Sequence, residues 1–345
     1  MKFDLDKIND YINNGLIIKQ NHPTYPLSIY NYSRECQYNN QWDKLTLSCR
    51  GLILNNEGHV IAKSFDKFFN LSEHDAEHIP NDDFEVFTKM DGSLGILFYY
   101  DNKWNVASRG SFNSEVSNKA NEIIKKYNIL DEHSEITKFT IIGEIIYNEN
   151  RIVVNYGDME EFVILTIIDP NTGTELPYDD VVKIGQKLNM PVVKRYDGIS
   201  DYRTLKNSIQ DNEEGYIVRF KNNFRIKIKG DEYLRLHKLR TDFSVKRIWE
   251  MLYKNESFDY FLQNVPDEFD LMVKNTIKEI MDNYSLVEDE YLSIFKEINN
   301  ENIKIFANEA KKYNNSHILF NMWNKKSNRE PIFKLLKPTQ KNVKD

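Results

Sequence analysis

A chain of 345 residues and 41.0 kDa is long enough for one large domain and a smaller one. With 40% hydrophobic and 29% charged residues it reads as a soluble globular protein, and a net charge of −7 excludes a generally basic nucleic-acid coat while leaving room for a local cationic cleft. Two cysteines, Cys36 and Cys49, make no disulfide framework, residues 1–7 carry no apolar run of signal-peptide type, and no stretch is long enough to span a bilayer; we expect a non-membrane protein of the reducing cytoplasm.

Along the chain, the first segments that carry chemistry are Cys49-Arg50-Gly51 and Lys63-Ser64-Phe65-Asp66-Lys67-Phe68-Phe69-Asn70, with Asn55-Asn56-Glu57-Gly58 as a turn between them. His74 and His78 are one helical turn apart but lack a third ligand, so a surface turn is expected there rather than zinc. A strand over 84–88 leads into Lys89-Met90-Asp91-Gly92-Ser93, and a second strand covers 94–100. Residues 91–93 then form a turn, with Lys89 at a strand end facing a cleft. Arg109 follows in Ser108-Arg109-Gly110. Next come a helix over about 113–127, an apolar strand over 139–144 ending on Glu144, a strand opening at Phe162, a turn over 169–173 and a helix over 178–188. Glu214 opens a further strand, and Arg225-Ile226-Lys227-Ile228-Lys229 alternates so that its three cations share one face. The pattern is α+β, with antiparallel sheets and flanking helices.

After His237 glycine disappears and no strand signal persists. Val245, Ile248, Met251 and Leu252 mark one helical face, Val273, Ile277, Ile280, Met281 and Tyr284 a second, and Tyr291, Phe295 and Ile298 a third. An all-α domain over 238–345 is therefore expected to follow a domain over 1–237. Glu288-Asp289-Glu290 reads as a solvated helix face. Residues 304–344 hold ten Lys or Arg against two Glu; with Phe320, Trp323 and Phe333 they form either a surface that grips RNA and stacks on bases, or a solvated face over core aromatics.

Any one of these segments alone reads as surface charge on a half-buried sheet. Taken in order, the Lys89-Met90-Asp91-Gly92-Ser93-Leu94 box, Lys67-Phe68-Phe69-Asn70, Gly143-Glu144, Glu214-Gly215-Tyr216 and Lys227-Ile228-Lys229 before Asp231-Glu232-Tyr233 resemble the covalent nucleotidyltransferases, the ATP-dependent ligases and mRNA capping enzymes. Within them the chain looks most like the RNA ligase 1 family of T-even phages. The resemblance is specific through the first two thirds and looser beyond. Arg109 stands where the pattern has a lysine, keeping the charge but changing the donor geometry.

The resemblance implies a ligase-type nucleotidyltransferase fold and three steps: ATP adenylates Lys89, AMP moves to an RNA 5′-phosphate, and a 3′-hydroxyl displaces AMP to seal the strand. A lysine attacking the α-phosphorus must be neutral, and at a reference pKa of about 10.4 only roughly 0.04% is neutral at pH 7. Lys227, Lys229 and a divalent cation are expected to disfavour a further charge on Lys89, and to offset charge on the phosphate oxygens as pyrophosphate leaves. Glu144 and Glu214 are the expected holders of Mg²⁺, or of Mn²⁺ in its place; Glu144 alternatively accepts from a ribose hydroxyl. Arg50 and Lys67 are candidates for the triphosphate or the RNA 5′-phosphate, and Arg109 joins the nucleotide-binding set. Gly92 lets the backbone approach the nucleotide closely. Tyr233 packs near the phosphates or in the core, and Phe162 borders the adenine or fills the core.

The implied partner is RNA with 5′-phosphate and 3′-hydroxyl ends, tRNA among the candidates, in RNA repair; the sequence leaves the oligomeric state open, with a monomer favoured. A DNA ligase or a GTP-using capping enzyme would carry an oligonucleotide-binding barrel where helices are predicted here. A catalytically silent RNA-binding relative would lack Lys89 or the Lys227 and Lys229 pair. The chain has no Gly-x-x-x-x-Gly-Lys-Ser/Thr loop, so any preparation of the RNA ends falls to another protein.

Overall fold

Thirteen strands form three sheets among the residues described by the computed structural model, which are 1–129, 135–240, 244–258, 261, 269–298 and 302–338. In chain order they are β1 (Ile17–Asn21), β2 (Leu27–Tyr32), β3 (Arg50–Asn55), β4 (Val60–Ala62), β5 (Phe69–Asn70), β6 (Phe84–Lys89), β7 (Ser93–Tyr100), β8 (Lys103–Ser108), β9 (Thr140–Ile146), β10 (Glu161–Ile168), β11 (Arg195–Tyr196), β12 (Gly215–Phe220) and β13 (Arg225–Lys229). The sheet orders are β1-β2-β3-β4, β10-β9-β7-β8 and β11-β6-β12-β13-β5. Pairing is antiparallel except that β5 runs parallel to β13, Phe69 beside Ile226 and Asn70 beside Lys227. No hairpin constrains that edge, because β5 and β13 lie far apart in the chain.

All of these strands belong to the first of two compact units, Met1–His237; the second is Lys238–Asp345. In the third sheet, alternation separates two faces. Val86, Tyr216, Val218, Phe220, Ile226 and Ile228 form an apolar cluster with Leu205, which leaves positions 215, 217, 219, 225, 227 and 229 on the opposite face. On that side Phe87 packs with Ile146 of β9, Val163 of β10 and Val193, so the polar face is set against the second sheet. Leu27, Ile29 and Ile53 join the first sheet to Leu94, Ile96 and Ile142 of the second. The helices Glu115–Ile123 and Tyr178–Leu188 bring Ala120, Ile123, Val181 and Leu188 to Leu97, Ile141 and Phe162.

Two local expectations change. The strands flanking 91–93 are not hairpin partners: β6 pairs with β12 and β11, β7 with β8 and β9, so this turn carries the chain from one sheet to another. The helix expected over 113–127 is α-helical over Glu115–Ile123, where Ser114 Oγ accepts from the Ser117 amide, and ends in a 3₁₀ turn, Ile124–Lys126. Tyr127 then leaves the helix, its hydroxyl accepting from the Phe162 amide at 2.9 Å.

In the second unit the regular elements among the described residues are helices: Val245–Lys254, Asp270–Ile298, Ile303–Ala310, His317–Trp323 and Arg329–Leu335. The second and third predicted faces lie on one continuous helix, Asp270–Ile298. Tyr291 packs with Phe306, Ile318, Leu319 and Ile332. The aromatics considered for base stacking are packed: Phe333 is fully buried, and Phe320 and Trp323 lie 5.7 and 4.4 Å from the Phe306 ring centroid. Glu288, Asp289 and Glu290 are exposed. Lys341 and Lys344 of the basic end, and Glu301 before it, lie outside the described residues.

Candidate active site

Three residues lie level across the centre of the third sheet. Gly215 of β12 is in register with Lys89 of β6 on one side and Lys229 of β13 on the other. Side chains level on antiparallel neighbours share a face, so both lysines point to the second sheet. Glu214, just before Gly215, reaches between them: its Oε1 is 2.6 Å from Lys89 Nζ and 3.6 Å from Lys229 Nζ. Only glycine permits this. Gly215 has φ +144°, and a Cβ there would lie 1.9 Å from the Ile228 carbonyl oxygen. One row further along, Phe87, Ile217 and Lys227 are level, with Lys227 nearly buried.

Arg225 shares the face but not the site. It is level with Arg219, and both pair with the buried Glu175, which also accepts from Thr166 Oγ1 at 2.8 Å. Burial works against charge on Glu175, but Arg225 and Arg219 overcome it and hold the carboxyl below its usual range. Glu85 binds Arg219 Nε and Arg195 Nη1, each at 3.1 Å, which completes a structural ion-pair cluster at the far end of the face.

The turn after Lys89 is anchored from three directions. Asp91 is buried; its Oδ2 accepts from the Val153 and Val154 amides at 2.8 and 2.7 Å, and its Oδ1 from the Tyr233 hydroxyl at 2.8 Å. The Asp91 amide donates to the Tyr156 hydroxyl at 2.8 Å. Tyr233 is buried, with its ring 5.5 Å from Lys229 Nζ, so it meets the site through Asp91 and Lys229.

Gly92 packs closely on β9. A Cβ there would lie 2.6 Å from the Ile145 carbonyl oxygen and 2.7 Å from Ile146 Cδ1, so the close approach that needs glycine is to β9. That approach lets the Gly92 amide donate to Glu144 Oε1 at 3.1 Å. Burial pushes the Glu144 carboxyl up to about 8; Lys89 opposes this and Glu214 adds to it, while Arg50 lowers it less strongly and Asp91 raises it further.

That crowding of Glu144 and Glu214 suits a divalent cation, which would relieve two carboxylates set close in a low-dielectric site. No cluster of three or more His, Cys, Asp or Glu able to hold a metal occurs among the described residues. Two carboxylates and retained water are what Mg²⁺ commonly uses.

Of the remaining cations, Arg50 lies on β3 of the first sheet, and Lys67 and Arg109 approach Tyr32 of β2. Arg50 donates to Ser64 Oγ at 3.4 Å and lies 4.8 Å from the Phe65 ring centroid. Lys67 is nearly buried among the rings of Tyr32, Trp42 and Phe69. Arg109 is exposed and donates to the Tyr32 hydroxyl at 3.3 Å. Phe162 belongs to the core: its ring occupies the space where Cβ atoms of Gly95 and Gly143 would be. His74 packs 5.1 Å from Phe224, and the exposed His78 is 3.6 Å from Asp75.

Sequence reasoning took Asp91 as a turn residue and missed its anchoring role, together with Tyr156, Glu175 and Trp42. For Asp91 the available signal was an acid between a strand-end lysine and a glycine. The other three carried none, since contacts such as Tyr156 to Asp91 and Glu175 to Arg219 join segments distant in sequence.

A family model described as RNA ligase matches residues 48–233. The chain is 26% identical over 294 residues to a protein of Autographa californica nuclear polyhedrosis virus named "Putative bifunctional polynucleotide kinase/RNA ligase", covering 76% of this chain and 40% of that protein. It is 24% identical over 349 residues to an RNA ligase of Rhodothermus phage RM378, covering 80% of this chain and 78% of the phage protein. The chain therefore spans less than half the length of the viral relative. Among solved structures, an archaeal ATP-dependent RNA ligase superposes with a TM-score of 0.50 at 13% identity, covering 93% of this chain and 96% of the other.

Proposed function

The chain belongs to the RNA ligase family, and from that premise we propose that it is an ATP-dependent RNA ligase that joins 5′-phosphate and 3′-hydroxyl ends through a lysyl-AMP on Lys89. The observation that carries this reading is the level row of Lys89, Gly215 and Lys229 with Glu214 between the two lysines. Once Lys89 Nζ has given up a proton, for which Glu214 Oε1 is an acceptor at 2.6 Å, it forms a bond to the α-phosphorus of ATP as the bond to pyrophosphate breaks. Lys229, and Lys227 one row away, offset charge on the phosphate oxygens as it develops. Asp91, held by Val153, Val154 and Tyr233, fixes the turn that aims Lys89. A divalent cation, Mg²⁺ or Mn²⁺, held by Glu144 and Glu214 would supply further charge neutralisation.

AMP then passes to the RNA 5′-phosphate, and attack by the 3′-hydroxyl releases it as the strand closes. Arg50, Lys67 and Arg109 are the cations assigned to the triphosphate or the RNA 5′-phosphate. Residues 1–237 are assigned the adenylyl transfer, and the helical unit the recognition of RNA, with tRNA as the first candidate and RNA repair as the role. Two buried cysteines outside any disulfide, Cys36 and Cys49, favour a cytoplasmic setting.

The test is to strip any attached AMP with pyrophosphate, incubate with Mg²⁺ and α-labelled ATP or GTP, and map label that survives denaturing electrophoresis. Label from ATP on Lys89 is the expected result. Label from GTP would replace the ligase reading with RNA capping; no label from either would replace it with a silent RNA-binding protein.

A further inference from the structure

We propose that Trp42 binds phosphate, its indole N–H donating to an oxygen of the phosphate group that Lys67 and Arg109 attract; this rests on the ligase reading above. Trp42 Nε1 is buried and has no hydrogen-bond partner among the described residues. A buried donor left unpaired is costly, and native proteins keep few of them. An indole N–H can only donate, and ammonium and guanidinium groups can only donate as well. The missing partner is therefore an acceptor, and its neighbours favour one with negative charge.

The surroundings are built for such a group. Tyr32 and Phe69 meet the Trp42 ring edge-on, with centroids 5.0 and 5.4 Å away, and so fix its plane. Lys67 Nζ is 5.5, 5.7 and 5.5 Å from the centroids of Tyr32, Trp42 and Phe69. The Arg109 guanidinium lies 5.5 Å from the Tyr32 ring and makes no ion pair among the described residues. The N–H is shielded from solvent, and Lys67 beside it is buried among the same rings. Arg109 is the exposed one of the two cations.

A terminal phosphate of the nucleotide and the 5′-phosphate of RNA present the same chemistry, so the test separates them. Trp42→Phe keeps an aromatic ring and deletes the donor. Calorimetry would compare it with the unaltered chain for inorganic tripolyphosphate, and for a short oligoribonucleotide with a 5′-phosphate or a 5′-hydroxyl. We expect affinity to fall about tenfold for one phosphate source, with no change for the 5′-hydroxyl RNA. Loss with tripolyphosphate assigns Trp42 to the nucleotide; loss with 5′-phosphate RNA assigns it to the RNA end.

Affinities for both phosphate sources unchanged from those of the unaltered chain would overturn the proposal. Should the variant fail to fold, the indole N–H resonances of the unaltered chain decide: the Trp42 signal must shift on titration with one of the two anions, and a signal unmoved by both rejects it. Neither measurement needs turnover. Absence of ATP label on Lys89 would thus sink the ligase reading alone, and unchanged anion binding would sink this inference alone.

Discussion

The Tyr233 hydroxyl donates to Asp91 Oδ1 at 2.8 Å, across 142 residues of chain. Asp91 is two residues after Lys89, and Tyr233 is four after Lys229. The bond therefore ties the turn behind one lysine to the helix Asp231–Arg240 behind the other, and the sheet register between them completes a closed loop.

Breaking that tie should act on stability and on adenylation together. Tyr233→Phe leaves one lone-pair site of a buried carboxylate unpaired, at a cost of about 1–3 kcal/mol. Urea unfolding should show the loss, and the rate of label transfer to Lys89 should fall with it. An unfolding midpoint equal to that of the unaltered chain would mean that the hydroxyl holds nothing.

Lys89→Ala should abolish labelling and leave a folded protein, because Glu214 keeps Lys229 beside it. Glu214→Ala should be the more destabilising change, since it strips both lysines of their shared counter-ion in a poorly solvated site. Thermal melts of the two variants check the order. A reversed order would place the main support of the site elsewhere.

Gly215 and Gly157 both have positive φ, yet alanine should affect them differently. At Gly215 a Cβ meets backbone at 1.9 Å; at Gly157 nothing lies within 4 Å. Gly157→Ala should cost about 1 kcal/mol, the conformational penalty alone. Gly215→Ala should cost about 3 kcal/mol or more, or prevent folding. Similar unfolding curves for the two would contradict the steric account.

His74 should make stability depend on pH. Burial lowers its pKa, with a small opposing pull from Glu73 and a further lowering from His78. The fold thus favours the neutral ring, which packs against Phe224 and Phe69. Its contribution is present above the unfolded value of about 6.5 and is lost as pH falls through the folded one. Between pH 7 and 5 the unaltered chain should lose stability relative to His74→Phe. Parallel stability profiles for the two proteins would exclude His74 as the cause.

Much of the architecture was legible in the sequence, because periodicity is a local property. Alternation located the strands that became β6, β7, β9 and β13, and a 3.6-residue period placed the helix Tyr178–Leu188 at its observed bounds. The same alternation put Arg225, Lys227 and Lys229 on one face. It could not say that Arg225 would be drawn to Glu175 while Lys229 meets Glu214, since both carboxylates arrive from distant segments.

Composition also left the aromatics of the helical unit open between stacking on RNA and filling a core. Packing settled Phe333, which is fully buried.

By itself, the sequence determined which residue types stand at which strand ends, and therefore what chemistry the chain carries: a strand-end lysine, two further lysines in alternation and two carboxylates beside glycines. Only the tertiary structure decided that β6 and β7 part into different sheets, that Glu214 lies between Lys89 and Lys229, and that Asp91 is an anchor. The physical reason is that periodicity is dictated by each residue's near neighbours, whereas register and burial follow from contacts between segments brought together by the collapse of a shared core.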